Sequence, residues 1–138
     1  SASDFGEPEM RAFVQHAKNR AARLEAALRT LDCDLRISLL HYSPTPDTLR
    51  GEPPGLYPFL GSYLLAEATD RAGAHLAIHG HAHAGVEHGV TPGGTPVRNV
   101  AQPVLRRAYA LYCFDDVGAG PVDLPSPPEL AGWRYLAH

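Results

Sequence analysis

Two short apolar runs break off at histidines, and the segments around them leave few folds open. Leu35, Ile37, Leu39 and Leu40 form a strand pattern that ends at His41 and is broken by Pro44 and Pro46. "AHLAIHGH" is a second buried strand, and a helical pattern over Phe59–Arg71, closed by Gly73, separates the two. A long amphipathic segment precedes both. From Glu7 to Leu31, Met10, Phe13, Val14, Ala17, Ala21, Leu24, Leu28 and Leu31 recur at three and four and predict one helix whose apolar stripe packs on the domain's own sheet. Pro8, Glu7 and Glu9 suit its first turn, and Arg29 suits its last.

Beyond the second strand the period shortens. Gly85–Gly89, Thr95–Ala101 and Tyr109–Asp115 are strand candidates, with "TPGGTP" as a hairpin connection. Asp47–Leu56 is polar, carries Pro53, Pro54 and Gly55, and is expected as a loop. The order of helix, strand, helix, strand and antiparallel strands predicts an α/β layered class. Residues 1–116 form the domain portion, and the Pro/Gly-rich residues 117–138 a tail on its surface, with Trp133 and Tyr135 as anchors. Two core strands are few for a complete domain of this type, so the chain is expected to be part of a larger one.

Composition narrows the function classes. With 138 residues and 44% hydrophobic content the chain can bury a core. A formal charge of -3 gives no reason to expect nucleic acid or an anionic membrane as a partner. No apolar run reaches membrane-spanning length, and the N-terminus lacks the basic and apolar regions of a signal peptide. Cys33 and Cys113 lie in apolar contexts and are expected as buried thiols of a cytoplasmic protein.

The histidines carry the chemistry. Five of eight lie between His75 and His88. In an extended chain, residues two apart share a face, so His81 and His83 address one small volume beyond a strand end. Gly80 removes a side chain beside them. His41 follows the other strand, and in open α/β sheets sites gather beyond the carboxyl ends of strands. Imidazole suits zinc, iron and manganese, which makes His41, His81 and His83 the candidate metal ligands. His79 lies inside the strand and is expected to be buried and hydrogen-bonded; His16, His75, His88 and His138 are expected as ordinary surface or helix-face residues. No Gly-X-Ser-X-Gly, phosphate loop or dinucleotide fingerprint occurs, and Asp115 and Asp116 suit a solvated turn.

From Asp34 to Phe114, "LLHYSP", a helix, "IHGHAHAG" and then "VRNVAQPV" closely resemble the C-terminal half of calcineurin-like metallophosphoesterases. The Gly-His-X-His element lies forty residues after His41, a spacing that sharpens the likeness. The resemblance implies part of a four-layer α-β-β-α sandwich with two divalent ions (manganese, iron or zinc) at its strand ends. It implies that His41 and His81 bind one ion and His83 the other, and that Asn99 is not a ligand. It also implies hydrolysis of a phosphomonoester or phosphodiester, in which two ions about 3.5–4 Å apart activate a water and stabilise the attacking and leaving oxygens.

The family's Asp-X-His, Gly-Asp and Gly-Asn-His-Asp/Glu motifs do not occur in this sequence. The resemblance therefore implies that a missing N-terminal half or another chain supplies the acidic ligands, and that this chain alone hydrolyses little. Two alternatives stay open. One is a non-catalytic relative used for oligomerisation or regulation. The other is a mononuclear protein in which the three histidines share one ion and leave a position free.

Overall fold

A computed structural model describes residues 6–125. Helix α1 (Glu7–Arg29) is followed by strand β1 (Ile37–Leu40), a short helix α2 (Tyr57–Leu60), helix α3 (Tyr63–Arg71) and strand β2 (Leu76–His79). Strands β3 (His88–Val90) and β4 (Pro96–Asn99), a one-turn helix α4 (Gln102–Leu105), and strands β5 (Leu111–Cys113) and β6 (Val122–Leu124) complete the order. Two sheets result, one with the order β1-β2-β4-β3 and one made of β5 and β6. In the larger sheet β1, β2 and β4 run parallel, and β3 is antiparallel to β4 across the Thr91–Thr95 turn. The class is mixed α/β.

Small residues decide which face takes the helices. Ser38, Ala77 and Val97 lie side by side on one face, and each is almost completely buried. The crossover helix α3 presents its own buried small residues, Ala66, Ala68 and Thr69. On the opposite face Ile37 and Leu39 stand open, Leu39 at 77% exposure. The apolar residues of "RISLL" therefore do not line one buried side, as an interior strand would have them do. β1 is an edge strand, and its buried position is taken by Ser38.

Helix α1 packs on α3 rather than on the sheet. Leu24 and Leu28 meet Ala72 and Ala74, and burying such a leucine contributes roughly 1.5–3 kcal/mol. At the same end Arg71 pairs with Glu25, and Arg29 donates to the Arg71 carbonyl at 3.0 Å. The C-termini of the two helices thus lie together, so both run against β1 and β2. α1 is 23 residues long and α3 nine, which at about 1.5 Å per residue leaves the first turns of α1 overhanging. Only the middle of the predicted stripe, Ala21, Leu24 and Leu28, is covered, and Met10, Phe13, Val14 and Leu31 remain exposed.

Other expectations are corrected for local reasons. The helix predicted over Phe59–Arg71 breaks at Gly61–Ser62, because Ser43 inserts a backbone bridge there, donating to Leu60 O and accepting from Ser62 N, both at 2.9 Å. A Cβ on Gly61 would press on the Ser43 carbonyl at 2.7 Å. The loop expected over Asp47–Leu56 contains two single 3₁₀ turns, Pro46–Leu49 and Pro54–Leu56. Cys33 and Cys113 are free but not buried: Cys33 is exposed and Cys113 half-buried. Val122–Leu124 pairs with β5, and the anchors Trp133 and Tyr135 lie outside the described residues. No helix among the described residues is long and apolar enough to cross a membrane.

Candidate metal centre at the carboxyl edge of the parallel strands

Neighbouring parallel strands bring the two strand-end histidines together. β1 and β2 are in register with Leu40 beside His79, so the chain leaves both at the same edge. His41 follows at once, and His81 follows one residue later. Their rings lie 4.5 Å apart between centroids and 32° from parallel, and Tyr42 meets both rings edge-on. His41, His81 and His83 are all exposed.

His81 has a strained backbone. Its φ is +68°, in the region that side chains other than those of Asn, Asp and His rarely enter. Ala82 N donates to Gly80 O at 2.8 Å across it, closing a three-residue turn of the rare γ type. Such geometry costs on the order of 1–3 kcal/mol and persists only where the surroundings hold it.

The surroundings hold it from three sides. His79, fully buried beneath the turn, places Nδ1 2.7 Å from the Gly80 carbonyl and Nε2 2.7 Å from the Thr48 hydroxyl. Burial is the main force lowering the basicity of this imidazole, with the His81 charge adding to it and the Gly80 bond opposing. A neutral ring fits both bonds: Nδ1–H donates to Gly80 O, and Nε2 accepts from Thr48. Thr48 also holds the loop through its backbone, accepting from Val86 N at 3.1 Å. Asn99 donates to Ala82 O at 2.8 Å, and Glu52 accepts from Ala84 N at 2.8 Å. Gly85 is required here, because a Cβ would overlap the Thr48 carbonyl oxygen. Gly51, with φ +109°, makes the same close approach to the Ala84 carbonyl.

These partners explain why Gly85–Gly89 is not the strand its pattern predicts. The backbone of residues 82–86 bonds to Thr48, Glu52 and Asn99 instead of to a ladder, and β3 begins only at His88. Thr48 and Glu52 were invisible as site residues in the sequence. The glycines at 51 and 85 were the available signal of a close backbone approach.

A second group lies two strands across the sheet, where β3 begins beside the end of β4. Glu87, His88 and Asp123 place one ligand atom each within 4.8 Å of one another. Each carboxylate is already matched: Glu87 accepts from Arg107 and from the Tyr112 hydroxyl, and Asp123 from Arg98 and His88. Partial burial works to raise the Asp123 carboxyl, but the His88 bond and the Arg98 charge outweigh it and hold it below the usual range. Burial and the adjacent Glu87 push the Tyr112 hydroxyl up. Together these contacts clasp the β5–β6 hairpin to β3 and β4. His88 is therefore a clasp residue rather than an ordinary surface histidine. His75 accepts from Arg36 N at 3.0 Å where α3 returns to β2, and His16 sits on the exposed face of α1.

Two adjacent imidazoles on exposed positions fit a borderline divalent ion, each offering a nitrogen at about 2.0–2.1 Å from zinc. They supply only part of a ligand set. His41 and His81 meet, but among the described residues the three histidines do not form a group with ligand atoms within 4.8 Å of one another, so the expected common volume for His81 and His83 is not seen. No family model, no curated protein and no solved structure matches the chain.

Proposed function

We propose that His41, His81 and His83 are the histidine share of a metal-dependent phosphoesterase centre, with His41 and His81 on one divalent ion and His83 on a second. The observation that carries the reading is the pairing of the His41 and His81 rings at the carboxyl edge of two parallel strands. The strained, clamped turn at His81 adds to it, because strain of this kind gathers at working sites. Manganese, iron or zinc is the ion class, and a phosphomonoester or phosphodiester the substrate class.

When bound, such ions supply Lewis-acid stabilisation of phosphoryl oxygens and an activated water. The chain's own residues do the positioning. His79 and Thr48 set the height of the Gly80–Ala82 turn, Asn99 and Glu52 fix its far side, and Tyr42 braces both rings. The acidic ligands come from a further segment or chain seated on the open face of β1, and the sheet is one of the two inner layers of a four-layer sandwich. Parallel sheets are ordinarily covered on both faces, and the exposed Ile37 and Leu39 favour such a cover.

Manganese(II) titration followed by NMR tests the reading. Paramagnetic broadening is expected to reach the His41 and His81 imidazoles together and at the lowest metal concentration. Broadening confined to Glu87, His88 and Asp123 would defeat it.

A further inference from the structure

The overhanging end of α1 forms a groove that reaches the same edge as the histidine pair. Phe13 and Val14 make one wall, Tyr57 and Leu64 the other, and Pro44 and Leu49 the floor, enclosing about 430 Å³. That volume lies within the roughly 300–1,000 Å³ typical of small-molecule sites. Because α1 and α3 run against the parallel strands, this end of both helices stands over the carboxyl edge. The floor begins at Ser43 and Pro44, two and three residues after His41, so its backbone starts within about 7 Å of the His41 backbone.

The lining says what the groove accepts. None of its residues carries a charge. Its deepest hydroxyls are already committed: Ser43 donates to Thr45 O, and Thr45 donates to Val90 O. An anionic phosphate finds no cation there, whereas an aryl or alkyl group loses water against Phe13, Pro44 and Leu49. Resting on the metal reading above, we infer that this groove holds the apolar alcohol portion of the phosphoester while the phosphoryl group meets the histidine pair. The substrate class is then an ester of an aromatic or aliphatic alcohol rather than of a sugar or a charged peptide.

The test uses the whole chain, zinc, 1-naphthol and 1-naphthyl phosphate, with binding sites mapped by NMR and dissociation constants taken from the titrations. Val14→Asp is the groove variant; Val14 is 41% exposed, so the change leaves the fold in place, which circular dichroism checks. Both probes are expected to shift residues 13–17 and 43–64, and Val14→Asp to weaken both at least tenfold. His81→Ala is expected to weaken only the phosphate ester, and only with zinc present. Naphthol shifts elsewhere, or an unchanged constant in Val14→Asp, would overturn the groove assignment. Groove binding of both probes with no zinc or His81 dependence overturns the link to the metal site and the reading beneath it. A dimer abolished by Val14→Asp would give the groove to a second copy. Tighter naphthol binding after removal of residues 126–138 would give it to the chain's own end. Either result also overturns the proposal.

Discussion

Thr48→Val isolates the hydroxyl that supports the His81 turn. Valine nearly matches threonine in volume, so the change opens no cavity and removes one polar atom. That atom lies 2.7 Å from His79 Nε2 and 2.8 Å from Ser43 Oγ, inside a fully buried site. Ser43 keeps its bond to the Thr45 carbonyl at 2.6 Å, so it is not stranded. His79 Nε2 is left as a buried acceptor with no donor, which costs about 1–3 kcal/mol. We take about 2 kcal/mol as the expected loss, equivalent to a fall in Tm of about 8 °C for a domain of this size. Urea denaturation with two probes gives the free energy, and hydrogen exchange at Ala82, Ala84 and Val86 shows whether the loop loosens. Support around a ligand commonly changes metal affinity by about 10–100-fold, so zinc is expected to bind about tenfold more weakly. A stability loss under about 0.5 kcal/mol with unchanged exchange at those amides would refute the clamp.

Three further outcomes follow from other contacts. Gly85→Ala drives a methyl group into the Thr48 carbonyl oxygen and is expected to cost about 3 kcal/mol, measured by denaturation; a neutral effect would show that the loop is free to move. Leu39→Gln alters a side chain that is largely open to water and is expected to stay within about 0.5 kcal/mol of the parent, whereas a loss above about 1 kcal/mol would mean that Leu39 is covered in solution. The Asp123 carboxyl sits below its usual value of 3.8, so its contribution is complete above that pH and is lost as pH falls through the lower folded value. Amide exchange in β5 and β6 is accordingly expected to rise on acidification below about pH 3.8, and Asp123→Asn to remove that step; an identical acid profile in the variant would discount the clasp.

Much of the strand framework was legible because its apolar runs are short and end abruptly at polar punctuation. The run before His41 and the run through His79 gave β1 and β2, and their register then set the two histidines side by side. The long helix was legible from its period, ending at Arg29 rather than Leu31. What covers that helix was not. Periodicity reports an apolar face, and the partner α3 is too short to bury the end that carries Phe13 and Val14.

Long-range polar contacts were the larger blind spot. Thr48 reaches His79 across 31 positions, and Glu52 reaches Ala84 across 32, so neither bond leaves a local pattern. Gly61 gave no sign that Ser43 would split the second helix, because the cause lies in the returning backbone rather than in the helix sequence. The role of His88 depends on Asp123, whose strand lies in a segment read as tail. Local chemistry is written in neighbours, and these contacts are made between elements.

The central claim is that His41 and His81 share one ion. Zinc titration calorimetry on the parent chain, His41→Ala, His81→Ala and the double variant tests it most directly. The account predicts that each single change weakens zinc at least tenfold and that the double variant is little worse than either single one, because each removes the same shared site. Zinc affinity unchanged in either single variant would contradict it, as would two losses that simply add.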